Sequence, residues 1–180
     1  MVKPDMHKDL RKLAKRLTNF PKLKYLKLDF SPQSLERLNH ALERDKAFKG
    51  NTTAEKNTIV TLLTAYYGEV FIRNIDPKAK WREASPEDKK EHNFKLTLDL
   101  FDGRAHLAGV ESRITARWLG RLSLMNAFLF DLQHIELILH LKDKKGKKLK
   151  INANVKEFIM KLSRKYKIDL MENFNPNAYN

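Results

Sequence analysis

The sequence predicts an α+β fold: a small, mainly antiparallel sheet of about four strands packed by about five or six helices, the last two strands forming a C-terminal β-hairpin. Three observations predict it. Apolar residues recur every three or four positions over several long stretches, alternate with polar residues over shorter ones, and are separated by capping and turn residues. A chain of 180 residues is enough for one full core, so a single domain is expected over residues 1–170, followed by a loose tail at 171–180.

The elements follow in order. Met6, Leu10, Leu13 and Leu17 form one stripe of a basic amphipathic helix over residues 5–18, and Pro21 stops it. Leu26, Leu28 and Phe30 alternate with Lys27 and Asp29, which predicts a strand near 23–30. Ser31 then caps a helix with Pro32 at its first position; Leu35, Leu38 and Leu42 carry it towards Gly50. Thr52 and Glu55 make a capping box for the most apolar helix, lined by Ile59, Leu63, Tyr66 and Val70 and widened by Val60, Leu62, Tyr67 and Phe71. Such a helix is expected at the centre. Gly68 inside it costs about 1 kcal/mol relative to alanine, which predicts a close backbone approach there.

Asp76-Pro77 ends that helix, and Ser85-Pro86 opens a short polar one. Phe94, Leu96, Leu98 and Leu100 alternate with Lys95, Thr97 and Asp99 as a strand over 94–100, with Asp102-Gly103 as its turn. From Leu107 to Leu132 the spacing is helical, as one long helix or two with a break near Gly120. Ile135, Leu137, Leu139 and Leu141 alternate, predicting a strand over 134–141 that pairs through a cationic loop with one near 148–152. Asn154 and Glu157 cap a last helix bearing Val155, Phe158, Ile159, Leu162 and Tyr166.

Charge is the most informative bulk property. The chain carries 36 Lys+Arg against 22 Asp+Glu, a formal charge of +14. Residues 1–30 hold nine basic and three acidic residues, and residues 142–167 hold eleven and two; residues 31–141 are nearly neutral at sixteen and fifteen. If the two ends meet, they make one positive face that attracts polyanions; a Lys-rich surface serving solubility alone is the plain alternative. With no cysteine, disulfides, thiolate metal sites and cysteine nucleophiles are excluded. No apolar stretch is long enough for a transmembrane segment and the N-terminus is charged where a signal peptide is apolar, so a cytoplasmic protein is expected.

Catalytic signatures are missing. GxSxG, GxxxxGK[ST], GxGxxG and HExxH do not occur, and no cofactor is implied. Glu36, His40 and Glu43 share a helix face, and His134, Glu136 and His140 share the outward side of the expected strand; each set is more simply a solvated polar face than a metal site. Asp99 and Asp102 are conceivable as an acid–base pair, although the turn accounts for Asp102. What remains suits binding. Arg113, Arg117 and Arg121 recur at i, i+4 and i+8, a guanidinium stripe on a continuous helix. The hairpin tip carries Lys142, Lys144, Lys145, Lys147 and Lys148, and the last helix Lys161, Arg164 and Lys165. With Lys8, Arg11, Lys12 and Lys15 of the first helix, these are the expected contacts to a phosphate backbone, made without base readout. No stacking aromatic accompanies the C-terminal set, which favours backbone contact over single-strand recognition by stacking.

The run AYYGEV at 65–70, then Trp81, a strand, Asp102-Gly103, Val110, Arg113 and Ser123-Leu124, is similar in order to small bacterial proteins of uncharacterised families, some of them immunity-like. The similarity spans residues 52–132. It implies a bacterial cytosolic α+β domain that binds another protein, and it brings no catalytic residues. Two functions are therefore expected: a non-catalytic domain engaging an anionic partner, nucleic acid first, or a protein-interaction module for an acidic protein partner.

Overall fold

The computed structural model describes residues 5–44, 48, 52–86, 89–90, 95–103, 105–118 and 124–141. The elements are α1 (Met6–Thr18), a 3-10 helix (Pro21–Leu26), α2 (Pro32–Arg44), α3 (Thr53–Asn74), β1 (Lys80–Glu83), β2 (Leu96–Leu100), β3 (Ala105–Ala108), α4 (Val110–Trp118) and α5 (Leu124–Leu141). The α+β class holds, with a three-stranded antiparallel sheet in the order β1-β2-β3 among the described residues. The chain divides into two compact units, residues 1–128 and 129–180; of the second, the described part is the C-terminal stretch of α5.

Local signals placed most of the first unit. Asp5 caps α1, its carboxylate accepting from the Lys8 amide at 3.2 Å, and Leu10, Ala14 and Leu17 are buried. The Thr52 capping box forms as expected, with Thr52 Oγ1 accepting from the Glu55 amide and Glu55 Oε2 from the Thr52 amide. Residues 63 to 72 of α3 are buried on every side, so this helix is the axis of the unit. Tyr67, Phe71 and Phe128 interlock around it, with ring centroids 4.6 to 6.3 Å apart. Gly68 faces the Trp81 indole; a Cβ built there would lie 2.0 Å from the ring. The close approach expected of that glycine is present. Pro86 and residues 89–90 are helical, and the Lys89 amide donates to Ser85 O at 3.0 Å, as a helix opened by Ser85-Pro86 requires.

The sheet turns Trp81, Leu98 and Leu107 inward in one cross-strand row, all at most 5% exposed. The neighbouring row, Lys80, Asp99 and His106, faces out. Strand β2 and the Asp102-Gly103 turn were foreseen, the turn with φ of 55° at Asp102 and 78° at Gly103. Strands β1 and β3 were not. Leu107, read as the first helical residue, lies in β3; Gly109, with φ of 67°, separates that strand from α4.

Two expected strands are helical. The segment near 23–30 begins as a 3-10 helix, because Pro21 sets its first turn and Leu23 and Leu26, three residues apart, share its buried column. Lys27 then turns left-handed at φ 46°, and Arg37 Nε and Nη2 each approach a carbonyl, Leu26 O and Lys27 O, at 2.8 Å. Those carbonyls are thereby taken from any ladder. Residues 134–141 belong to α5, whose buried Leu124, Phe128, Leu132 and Ile135 keep helical spacing; the alternation from Ile135 to Leu141 lies inside an almost continuous apolar run, where both periods fit. His134, Glu136 and His140 therefore share no strand face. The C-terminal hairpin over 142–152, the last helix, and the break near Gly120 lie outside the described residues.

Candidate nucleic-acid interface

Helix α1 packs its apolar stripe on α3 and β1 and leaves its cations outward. They are not equivalent. Lys8 pairs with Asp5 at 3.2 Å and Lys12 with Asp9 at 3.3 Å, exposed pairs that contribute little energy and yield readily to a competing anion. Arg11 is committed inward: its Nε lies 2.8 Å from Glu69 Oε1, on a carboxylate only 1% exposed. Arg73 reaches the other oxygen of Glu69 at 3.1 Å and stacks over the Phe30 ring at 3.8 Å. Lys15 and Arg16 are exposed and make no ion pair among the described residues.

The chain then enters the 3-10 helix, where three residues per turn sort the side chains into columns. Leu23 and Leu26 are buried, Lys22 and Tyr25 form a second column, Lys24 lies in a third, and Lys27 follows as the left-handed C-cap. From Leu10 to Leu28 the sequence has seven basic residues and no acidic one. Asp29, the next acid, is engaged by its neighbours. Burial raises its pKa, but the Ser31 hydroxyl and amide and the Arg37 guanidinium outweigh that and hold the carboxyl below its usual range. Arg11 and Lys12 of this stretch are paired with Glu69 and Asp9, whereas Lys15, Arg16, Lys22, Lys24 and Lys27 are exposed, as are the side chains of Phe20 at 47% and Tyr25 at 61%.

Beside it lies an apolar groove of about 490 Å³ between α1, the 3-10 helix and the first turns of α3, lined by Leu13, Leu17, Phe20, Leu23, Phe48 and Leu62. Thr58 and Thr61, also on its wall, donate their hydroxyls back to Ala54 O and Asn57 O at 2.9 Å. Arg16 stands on the same wall.

Of the residues expected to contact phosphate, Lys8, Arg11, Lys12 and Lys15 share α1. Arg113 is on α4, with Nη1 donating to Ala108 O, so its guanidinium ties the helix to the end of β3. Arg117 is on the same helix. Arg121, Lys142, Lys144, Lys145, Lys147, Lys148, Lys161, Arg164 and Lys165 lie outside the described residues. Sequence reasoning passed over Lys22, Lys24 and Lys27, although the acid-free run was there to be counted.

The remaining polar clusters are structural. Asp99 holds the outer face of the sheet, accepting from Arg82 Nε at 2.8 and 2.9 Å and lying 2.8 Å from His106 Nδ1; it does not pair with Asp102. Glu36 is half-buried on α2 while His40 and Glu43 are exposed, and no group of three His, Asp or Glu among the described residues is placed to hold a metal ion. No helix among them is long and apolar enough to cross a membrane. No family model, curated protein or solved structure matches the chain. The likeness in order over residues 52–132 is neither supported nor opposed by these comparisons.

Proposed function

We propose that this protein is a non-catalytic binding domain for an anionic partner, nucleic acid, held through its phosphates without sequence readout. The observation that carries this is the set of exposed cations Lys15, Arg16, Lys22, Lys24 and Lys27 on α1 and around the 3-10 helix, in a stretch of sequence without an acid. A surface that concentrates cations without matching acids gains free energy by releasing the counterions condensed on a polyanion. Arg113, Arg117 and Arg121, the lysines at 142, 144, 145, 147 and 148, and Lys161, Arg164 and Lys165 are proposed to extend the contact.

The test is binding of the full chain to random-sequence oligonucleotides across a salt series. Affinity should fall steeply, by a logarithmic slope of about 0.9 for each phosphate neutralised on a duplex. Replacing Lys15, Arg16, Lys22 and Lys24 by glutamate should lower both affinity and slope while leaving thermal unfolding nearly unchanged. Absence of binding at low salt, or indifference to salt, overturns the proposal. A second reading, an acidic protein partner of an immunity-like module, draws on the apolar groove beside Arg16. Capture of one acidic protein that survives nuclease treatment, with no affinity for oligonucleotides, would decide for it.

A further inference from the structure

We propose that the groove between α1, the 3-10 helix and the start of α3 is a binding site for a single-chain fatty acid, with the hydrocarbon on the apolar wall and the carboxylate on Arg16. The site goes beyond the polyanion reading and does not rest on it. Apolar side chains normally gain by leaving water, yet here Phe20 stays 47% exposed and Leu13, Ile59 and Leu62 are only partly buried, around a space of about 490 Å³. Small-molecule sites occupy about 300 to 1,000 Å³ and are lined mainly by apolar groups with a few polar ones to fix orientation.

Size selects one chain. A cavity of about 150 Å³ holds one benzene, so a space of about 490 Å³ takes roughly fifteen to twenty carbons if filled, and fewer where it opens to solvent. A single chain of about ten to sixteen carbons fits; the paired tails of a phospholipid do not. A partner helix, about 10 to 12 Å across, would sink only about one turn into this volume and leave most of its apolar stripe outside. The lining suits hydrocarbon. Leu17, Leu23 and Phe48 are at most 4% exposed, and Thr58 and Thr61 commit their hydroxyl protons to Ala54 O and Asn57 O, so neither presents a free donor to the chain.

Charge selects the head group. Among the described residues Arg16 is the one charged side chain on the wall, and it is exposed and free of any ion pair. Apart from Phe48, the wall comes from two stretches of sequence without an acid, Leu10 to Leu28 and Lys56 to Gly68. A guanidinium fork matches the two oxygens of a carboxylate. A neutral or cationic amphiphile gains nothing from it.

The experiment titrates the full chain calorimetrically, at neutral pH, with octanoate, decanoate and dodecanoate below their micellar concentrations. Decanol, decyltrimethylammonium and vesicles of anionic phospholipid are the comparison probes. Affinity should rise about four-fold for each added methylene, as burial of one CH₂ requires. Decanoate should bind more tightly than decanol, and decyltrimethylammonium least. Arg16→Gln should weaken decanoate by about 3- to 10-fold and leave decanol unchanged. Thr58→Trp with Thr61→Trp adds bulk at two exposed positions of the wall and should abolish carboxylate binding while thermal unfolding stays nearly unchanged. Absence of carboxylate binding, affinity indifferent to chain length, or binding that survives the double tryptophan variant overturns the site. Decanol bound as tightly as decanoate, or Arg16→Gln without effect, overturns the fatty-acid assignment. Vesicle binding lost in the tryptophan variant, with no affinity for the free carboxylates, assigns the groove to a lipid surface instead. Oligonucleotide affinity is read separately, through Lys15, Lys22 and Lys24, so its absence overturns the polyanion reading and leaves this site standing.

Discussion

Gly68→Ala probes the packing of the first unit at its tightest point. Alanine is the better helix former by about 1 kcal/mol, so on propensity alone the change stabilises α3. The structure reverses the sign. The added methyl would lie 2.0 Å from Trp81 Cζ2, 2.8 Å from Cε2 and 3.0 Å from Cη2, whereas carbon atoms rest at about 3.5 to 4.0 Å. The indole must retreat by about 1.5 Å, and Trp81 is 5% exposed in a cross-strand row with Leu98 and Leu107. Overpacking of this kind costs about 1 to 3 kcal/mol, and a dislodged tryptophan costs more. A net loss of about 2 kcal/mol is expected, seen as a fall in Tm of about 4 to 8 °C for a chain of this length. Urea and thermal melts measure it, and Trp81→Leu supplies the control. On that background the methyl meets no ring, and Gly68→Ala should be neutral or stabilising. An equal cost on both backgrounds, or none in the wild type, would refute the assignment of the glycine to this contact.

Other expectations follow from buried polar groups. Tyr66→Phe removes a hydroxyl that takes the Phe30 amide at 3.1 Å and bonds Ser34 Oγ, so it should cost about 1 to 3 kcal/mol by urea melt, whereas Ser34→Ala, which leaves the Phe30 amide satisfied, should cost less. Arg11→Met together with Arg73→Met strands the Glu69 carboxylate at 1% exposure and should destabilise by about 3 to 5 kcal/mol; adding Glu69→Leu should recover most of that loss in the same melts. Burial raises the Glu111 carboxyl above its ordinary pKa, so its contribution is full at low pH and is lost as pH rises through the folded value. Glu111→Gln should then raise Tm at pH 7, and the gain should vanish towards pH 4. Burial lowers the His7 imidazole, the opposite case: its contribution is present above pH 6.5 and lost as pH falls, so His7→Gln should flatten the acid side of a Tm against pH profile.

Elements announced by local chemistry were legible in the sequence. The Thr52 capping box, Ser31-Pro32, the Asp102-Gly103 turn and Gly68 each state a backbone requirement within a few residues, and no distant partner can change it. Periodicity over few residues was less decisive. Leu26, Leu28 and Phe30 suit a strand, but Leu23 and Leu26 suit a three-residue turn equally, and Arg37, eleven positions beyond Leu26, settles which carbonyls are free. Ile135 to Leu141 carries both periods at once. Strands β1 and β3 are four residues each and exist as strands because β2 supplies their partner, a long-range fact. The same limit hid the exposure of Tyr25. On a strand Leu23 and Tyr25 share a face; on the 3-10 helix they part, one to the core and one to solvent.

The Glu69 cluster has a consequence for handling the protein. Its acid is out of reach of dissolved ions and sits in direct contact with both guanidinium groups, so screening weakens it little, while the outward lysines feel added salt fully. If the proposed polyanion binding holds, a concentrated salt wash should release any bound polyanion from a column-held sample without unfolding the protein, and the eluate is where it would be identified.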